Sequence, residues 1–328
     1  MDSLNTTTSS SKPVFTWDDP LEIEHQLSED ERLIRDTARA YATDKLQPRI
    51  VEAYREEKTD PAIFTEMGEI GLLGVTVSPE YGGVGANSTA YGLVAREIER
   101  VDSGYRSMLS VQSSLVMHPI ESFGTEEQKQ KFLPRLATGE FIGCFGLTEA
   151  DAGSDPGSMR TRAEKTSDGY RISGSKMWIS NAGFCSLFIV FARIEDDKNI
   201  TGFIVENDSS NGISMGEEEH KLGIRASSTR QVFFNETKVP VANMLSERGN
   251  GFKIAMNALN VGRIKLAAAC LDAQRRVTTG AINYAVDRVQ FNTSISQFGA
   301  VRQKIAEMAT SCYAGESATY RAAKDIED

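Results

Sequence analysis

The pattern of hydrophobic and polar positions changes period twice along the chain. Residues 21–140 place apolar side chains three and four positions apart, which is typical of amphipathic helices. Residues 141–248 alternate apolar and polar side chains, and residues 249–328 return to the helical period. This order predicts an α+β protein with an N-terminal helical domain, a middle β-barrel or sandwich domain and an incomplete C-terminal helical bundle. Residues 1–20, rich in Ser and Thr, are predicted to form a disordered tail.

Local signals predict where several helices begin and end. Ser28 and Thr125 each stand three residues before a Glu or Gln, which is the spacing of a capping box, and Asp60-Pro61 indicates a third helix start. Pro48 is expected to end the first helix. The apolar residues expected on the buried face of that helix are Leu33, Ile34, Ala38, Tyr41, Ala42 and Leu46. Those expected on the next helix are Ile63, Phe64, Met67 and Ile70.

The middle region has the composition of short strands separated by turns. Segments 187–192, 201–205 and 230–234 are rich in Val, Ile and Phe and are predicted to be strands. Gly169, between polar residues and an alternating segment, is expected to adopt a positive φ in a hairpin turn. These features favour a β domain between two helical ones.

Composition excludes several classes of function. The 328 residues include 36 Lys and Arg against 46 Asp and Glu, so the net charge of −10 argues against a general nucleic-acid or anionic-membrane binder. We identify no stretch of ~18 apolar residues that could span a membrane. Four scattered Cys and three scattered His argue against a zinc site, and no metal is expected. The N-terminus lacks the pattern of a secretory or transit peptide, so we expect a cytoplasmic protein, or one of the mitochondrial matrix if the chain is eukaryotic.

Two segments could carry chemistry. Residues 145–155 pass from an apolar strand into a loop of small residues, in which Thr148 and Ser154 offer hydroxyl donors and the backbone is open to a flat or phosphorylated ligand. The alternative is a polar turn that ends a strand. Trp178 follows a cation and precedes a hydroxyl, a setting suited to stacking on a planar ring. The alternative for Trp178 is a place in the core of the β domain.

In their order along the chain, these segments resemble the acyl-CoA dehydrogenase family of flavoproteins. The matching motifs are EEQ (126–128), FLP (132–134), LTE…GSD (147–155), KMWISN (176–181), KLGIRAS (221–227) and RVQF (288–291). The resemblance implies that the chain binds FAD and acyl-CoA, passes electrons to an electron-transferring flavoprotein, and assembles as a homotetramer. It therefore implies an enzyme that dehydrogenates acyl thioesters.

The resemblance also implies roles for individual residues. The residues implied to line the flavin and its pyrophosphate are Phe145, Gly146, Leu147, Thr148, Gly153 and Ser154. Those implied to flank the ring are Trp178, Ile179 and Ser180. Arg288 and Gln290 are implied to reach the FAD of a neighbouring subunit, Ser154 to lie near the substrate and Arg263 to contact CoA. The alternative for each arginine is a solvated helix face.

Residues 99–107 and 110–119 are similar to one branch of the family, the glutaryl-CoA dehydrogenases. That resemblance implies that Arg106 binds the distal carboxylate of the glutaryl chain, with Ser107 and Glu99 beside it, and that the product loses CO₂ to give crotonyl-CoA. A guanidinium matches a carboxylate because its planar fork stays charged when it is desolvated. The alternatives are a salt bridge between helices that leaves a straight-chain acyl-CoA dehydrogenase, an inactive flavin- or acyl-CoA-binding fragment, or an interaction protein without a ligand.

Two features depart from the family pattern. The family's usual glutamate base is expected to lie beyond Asp328, and Gly262 stands where a minority of relatives carry that base. No catalytic residue is therefore identified, and weak or no activity is expected. From about residue 174 onward the chain is more similar to long bacterial and very-long-chain-type enzymes. We therefore expect a C-terminally truncated chain that is chimeric, fragmentary or designed.

Overall fold

The computed structural model describes residues 26–327, and the side chains of all of these except 264, 323, 324, 326 and 327. The predicted tail, residues 1–20, lies outside the described residues. The helices are α1 (Glu29–Tyr41), α2 (Ile50–Glu56), α3 (Ala62–Glu69), α4 (Ser88–Glu99), α5 (Ser103–Ser110), α6 (His118–Phe123), α7 (Glu126–Ala137), α8 (Gly251–Asp287) and α9 (Gly299–Glu327). The strands are β1 (Gly143–Gly146), β2 (Arg162–Lys165), β3 (Gly169–Ser180), β4 (Leu187–Ile194), β5 (Ile200–Glu206), β6 (Ile213–Glu218), β7 (Thr229–Pro240), β8 (Met244–Leu245), β9 (Val289–Gln290) and β10 (Thr293–Ser294).

The ends of the N-terminal helices follow their capping residues. Both predicted capping boxes are present, at the start of α1 with Ser28 and Glu31 and at the start of α7 with Thr125 and Gln128. Asp60 accepts a hydrogen bond from the Ala62 amide at the start of α3, at 3.0 Å. These side chains satisfy amide groups that have no partner within the first helical turn.

Two predictions about the buried helix faces are wrong. Leu33 is 66% exposed and Ile70 is 40% exposed, although their neighbours at helical spacing are buried. α1 continues as a π-helical turn, Ala42–Leu46, and ends before Pro48 as predicted, but α2 then begins only two residues after that proline. Proline restricts the residue before it and does not prevent a new helix after it, which is why the sequence pattern missed α2.

The middle domain is built on one eight-stranded sheet, which confirms the predicted β domain. The strand order is β6-β7-β3-β2-β4-β5-β8, and β1 adds to β4 in parallel. In β4, Leu187, Ile189 and Phe191 face the core shared with the helices, whereas Phe188 and Val190 face a second core on the other side. Burial on both faces explains why this strand is apolar throughout.

Gly169 corrects one prediction in the sheet. It opens β3 without a positive φ. A Cβ atom at this position would lie 2.2 Å from the carbonyl oxygen of Val239 on the neighbouring strand. Glycine is therefore required because of the close approach of β7, and the turn geometry does not need it.

The C-terminal helices pack against the N-terminal domain. α8 contacts α4 and α9, and the two-residue strands β9 and β10 form a hairpin between α8 and α9. By length and composition α8 is apolar enough to cross a membrane, so the prediction that no stretch reaches this limit does not hold for it. In this fold α8 is a packing helix, since its contacts with α4 and α9 bury part of its surface.

Gln112 joins the helical domain to the sheet. Its side chain is fully buried, and its Nε2 donates to the carbonyl oxygens of Leu136, at 2.9 Å, and Phe141, at 2.8 Å. Its Oε1 accepts from the Gly143 amide at the start of β1, at 2.8 Å. One side chain thus fixes the position at which β1 leaves the helical domain.

Candidate functional site

A cavity of about 500 Å³ lies where the two helical regions meet the sheet. Its walls come from the segment after α5, the end of β1 and its following loop, the end of β3, and the first three turns of α8. The lining residues are Val111, Leu115, Phe145, Leu147, Thr148, Gly153, Ser154, Asp155, Pro156, Trp178, Ile179, Ser180, Phe252, Met256, Leu259 and Arg263. Nine of the residues singled out from the sequence are therefore brought together here.

The loop after β1 is held from beneath by a buried ion pair. Nζ of Lys176 lies 2.8 Å from Oε1 of Glu149 and donates to the carbonyl oxygen of Leu147 at 3.2 Å. Oε2 of Glu149 accepts from the Arg160 amide at 2.6 Å. The Met177 amide also donates to the carbonyl of Thr148, at 2.9 Å. Thr148 is thus fixed between two strands, with its hydroxyl on the cavity wall.

Burial and charge act in opposite directions on this pair. Burial lowers the pKa of Lys176 to about 8, although Glu149 opposes the shift. The pKa of Glu149 is lowered: burial raises it, but the charge of Lys176 and the donors around the carboxylate outweigh that effect. The pair is charged at neutral pH, and its polar atoms are occupied within the protein.

Trp178 stands on a bulge in β3, outside the core. The pairing of β3 with β7 shifts register between Lys176 and Ile179, and Trp178 has a φ of 58°. Its side chain is 60% exposed at the cavity rim, so the alternative of a core tryptophan is wrong. A positive φ at a bulky residue is strained, and such strain is concentrated at binding sites.

One face of α8 forms the apolar wall of the cavity. Phe252, Met256, Leu259 and Arg263 follow one another at spacings of four, three and four residues, which places them on a single stripe. Arg263 donates to Oδ1 of Asn260 at 2.6 Å and, within the part of the chain that the structure describes, forms no ion pair. Its charge is therefore available to an anionic ligand.

The predicted acyl-chain residues form a separate cluster outside the cavity lining. Nε of Arg106 lies 2.6 Å from Oε2 of Glu99, and the arginine side chain is 14% exposed. Glu99 also accepts from the hydroxyl of Ser103. This contact between α5 and the end of α4 is the helix–helix ion pair that was the alternative for Arg106. Ser107 makes no hydrogen bond through its side chain among the described residues.

Ser110 was missed by the sequence reasoning. It lies one turn after Arg106, and its hydroxyl is buried without a hydrogen-bond partner in the described part of the chain. The spacing of four residues on one helix was the signal that could have found it.

Gly146, Arg288 and Gln290 lie outside the cavity lining. Gly146 is within β1, where a Cβ atom would meet the side chain of Lys176 at 3.5 Å. Arg288 and Gln290 are exposed at the β9–β10 hairpin. Their implied role involves another subunit, so it stays a prediction.

The position of the catalytic base is not tested by this structure. Asp328, beyond which the family's glutamate is expected to lie, falls outside the described residues, so that expectation stays a prediction. Gly262, the other position considered, lies on α8 beside Arg263 and has no side chain that could take a proton. No base is therefore assigned to a residue of this chain.

The donors in the cavity suit a flavin dinucleotide. Thr148, Ser154 and Ser180 bring three hydroxyls to one side, Trp178 offers an aromatic face, and the α8 stripe offers an apolar surface. Among the residues that line this cavity, Asp155 carries the one carboxylate. No group of three His, Cys, Asp or Glu side chains that could hold a metal ion occurs in residues 26–327.

Family models match almost the whole chain. Residues 28–140 match the acyl-CoA dehydrogenase N-terminal domain, residues 144–237 the middle domain and residues 249–328 the C-terminal domain. An acyl-CoA dehydrogenase of Bacillus subtilis is 39% identical over 303 residues, which are 90% of this chain and 79% of the relative.

Solved structures share the fold at similar identity. Butyryl-CoA dehydrogenase from Megasphaera elsdenii is 36% identical with a TM-score of 0.87, covering 92% of this chain and 80% of that one. A glutaryl-CoA dehydrogenase from Mycobacterium smegmatis in complex with FADH2 is 34% identical with a TM-score of 0.86, over 92% and 77%. A chain described with the electron transferring flavoprotein of Acidaminococcus fermentans is 38% identical with a TM-score of 0.87, over 91% and 79%.

Proposed function

Since the chain belongs to the acyl-CoA dehydrogenase family, whose cofactor is FAD, we propose that its substrate is glutaryl-CoA. The reaction removes a proton from Cα and a hydride from Cβ of the thioester, and the unsaturated product then loses CO₂ to give crotonyl-CoA. The observation that carries the choice of substrate is the cationic cluster around Arg106, because a cation this far from water suits an acyl chain that ends in a carboxylate.

The unused donors of Arg106 support this substrate. Glu99 occupies Nε, whereas neither Nη group has an acceptor within hydrogen-bond distance among the described residues. A guanidinium can donate five hydrogen bonds, so a second carboxylate could be bound through the free edge. The orphan hydroxyl of Ser110, one turn away, is a further donor.

The cavity residues would hold FAD. Thr148 and Ser180 would donate to the ring edge, Trp178 would cover the ring, and Arg263 would bind an anionic part of the CoA ester. Bound FAD supplies the hydride acceptor. The residues of this chain orient the thioester and exclude water along the α8 stripe. The proposal assigns no base, because Gly262 precedes Arg263 on α8 and the chain carries no carboxylate at that position.

We also propose that the protein works as a homotetramer that passes electrons to an electron-transferring flavoprotein. The exposed Arg288 and Gln290 support the first part, because arginine and amide side chains on a hairpin are suited to binding across a subunit boundary.

A straight-chain acyl-CoA is the second candidate substrate. The ion pair between Arg106 and Glu99 favours it, because a neutralised arginine can be purely structural. The match to a butyryl-CoA dehydrogenase also supports it.

Turnover of glutaryl-CoA and butyryl-CoA separates these candidates. We expect Arg106→Ala to reduce turnover and binding of glutaryl-CoA at least about tenfold while changing those of butyryl-CoA little, since one charge-assisted hydrogen bond contributes that much. Arg135→Ala, at an exposed ion pair of the same domain, is the matched control. If Arg106→Ala leaves glutaryl-CoA unaffected, the substrate proposal is wrong.

A further inference from the structure

Lys265 is a buried lysine without a carboxylate partner. It is 4% exposed on α8, and no Asp or Glu of the described residues lies within ion-pair distance of its Nζ. Its Nζ contacts the hydroxyl of Tyr91 on α4 and lies 3.8 Å from the centroid of that ring. A hydroxyl and an aromatic face stabilise an ammonium group only in part, so burial of this charge remains costly.

The nearest charged group to act on Lys265 is Arg106. Burial, and after it the charge of Arg106, hold the pKa of Lys265 well below its ordinary value. Burial raises the pKa of Tyr91 to about 12, so the hydroxyl beside the amine stays neutral. Arg106 has Glu99 as its carboxylate, and Lys265 has none. The cluster formed by Tyr91, Glu99, Arg106, Ser110 and Lys265 therefore contains two cationic groups and one anionic group.

This imbalance decides what the cluster can bind. The Arg106–Glu99 pair alone is neutral overall, and an uncharged acyl chain could end beside it at little cost. Lys265 adds a charge that the protein leaves uncompensated and whose cost an anion would relieve. The unpartnered hydroxyl of Ser110 would donate to the same anion.

Resting on the proposed function, we propose that Lys265 is a second specificity-determining residue, which selects acyl-CoA thioesters whose acyl chain ends in a carboxylate. Arg106 and Ser110 come from α5, whereas Lys265 comes from α8, so the selection needs both helical regions of the chain. The ammonium and the free edge of the guanidinium would bind the two oxygens of the carboxylate. A chain ending in a methyl group would leave both cations without an anion.

Calorimetric titration of the full chain with glutaryl-CoA and with valeryl-CoA tests this directly. The two ligands have acyl chains of equal carbon number and differ in the terminal carboxylate. We expect Lys265→Met to weaken glutaryl-CoA binding at least about tenfold, and valeryl-CoA binding less than about twofold. Lys265→Arg, which keeps the charge, should retain most of the preference. Lys253→Met, at an exposed lysine of the same helix, is the control.

Each other result overturns the inference. If Lys265→Met leaves the preference for glutaryl-CoA unchanged, or weakens both ligands equally, Lys265 does not select the acyl chain. Thermal melting of each variant identifies loss of the fold, and Lys265→Arg then carries the comparison. If Arg106→Ala removes the preference and Lys265→Met does not, this inference fails while the proposed function stands. If the unaltered chain shows no preference, both fail.

Discussion

Nζ of Lys176 on β3 lies 2.8 Å from Oε1 of Glu149 in the loop that follows β1. The pair connects two segments that both line the cavity, since Thr148 precedes Glu149 and Trp178 follows Lys176 by two residues. A buried ion pair contributes little net stability, but removal of one partner leaves an uncompensated charge. The position of the flavin-binding loop therefore depends on both residues.

Replacing Glu149 by Gln leaves the Lys176 ammonium without an anion in the protein interior. We expect Glu149→Gln to lower the free energy of unfolding by about 3–5 kcal/mol and to weaken FAD binding. Denaturant unfolding and FAD titration measure the two effects. The double variant Lys176→Met with Glu149→Gln should recover most of the stability, because neither charge remains. Equal losses in the single and double variants would contradict the assignment.

The same pair predicts how stability depends on pH. The pKa of Lys176 is about 8 in the folded protein and near its ordinary value of ~10.4 when unfolded. Between these values the unfolded chain binds more protons, so this group makes the free energy of unfolding rise with pH from about 8 to about 10.4. Unfolding of the native chain and of Lys176→Met across this range checks the sign, since the variant lacks the rise.

Trp178 is expected to report on FAD binding. The chain has two tryptophans, so in a Trp17→Phe background all tryptophan emission comes from Trp178. We expect added FAD to quench this emission, because Trp178 stands on the cavity rim. Trp178→Ala should weaken FAD binding about two- to tenfold, the value of an aromatic contact, and Trp178→Phe less. Unchanged emission with bound, yellow FAD would place the flavin elsewhere.

Gln112 is expected to be critical for folding. Gln112→Ala leaves two carbonyl groups and one amide without partners at the start of β1. We expect a loss of about 2–5 kcal/mol in the free energy of unfolding, measured by urea denaturation. Gln130→Ala, at an exposed glutamine of α7, is the control and should change stability by less than ~0.5 kcal/mol.

The contact between α4 and α8 depends on a second buried ion pair. Nε of Arg96 lies 2.6 Å from Oδ1 of Asp272, and its Nη1 donates to the hydroxyl of Tyr320 on α9, at 2.7 Å. We expect Asp272→Asn to lower the free energy of unfolding by about 3–5 kcal/mol, because Arg96 keeps its charge. Asp325→Asn, at the exposed pair with Arg321, should have little effect.

Features set by neighbours in sequence were predicted well. The capping boxes at Ser28 and Thr125 depend on three-residue spacings, and the sequence shows these directly. The cavity residues Thr148, Ser154 and Trp178 lie in contiguous motifs, so the family resemblance located them. The predicted sequence of helices, sheet and helices also follows from period alone.

Features set by tertiary contacts were not predicted. Tyr91 and Lys265 stand 174 residues apart, and no local pattern connects them. The exposure of Leu33 depends on which elements cover α1, and the need for glycine at position 169 depends on the approach of β7. The charge of a residue can be read from the sequence, but whether that charge is compensated depends on the fold.

α8 carries two unlike surfaces on one rigid rod of 37 residues, about 55 Å long. Arg263 belongs to the stripe that lines the cavity, whereas Lys265 and Asp272 turn towards α4. Insertion of a single residue between Arg263 and Lys265 would rotate everything beyond it by about 100°, moving both polar contacts off α4 while the cavity wall stays in place. Length changes in this helix are therefore far less tolerable than substitutions, and evolution of the acyl preference must proceed residue by residue.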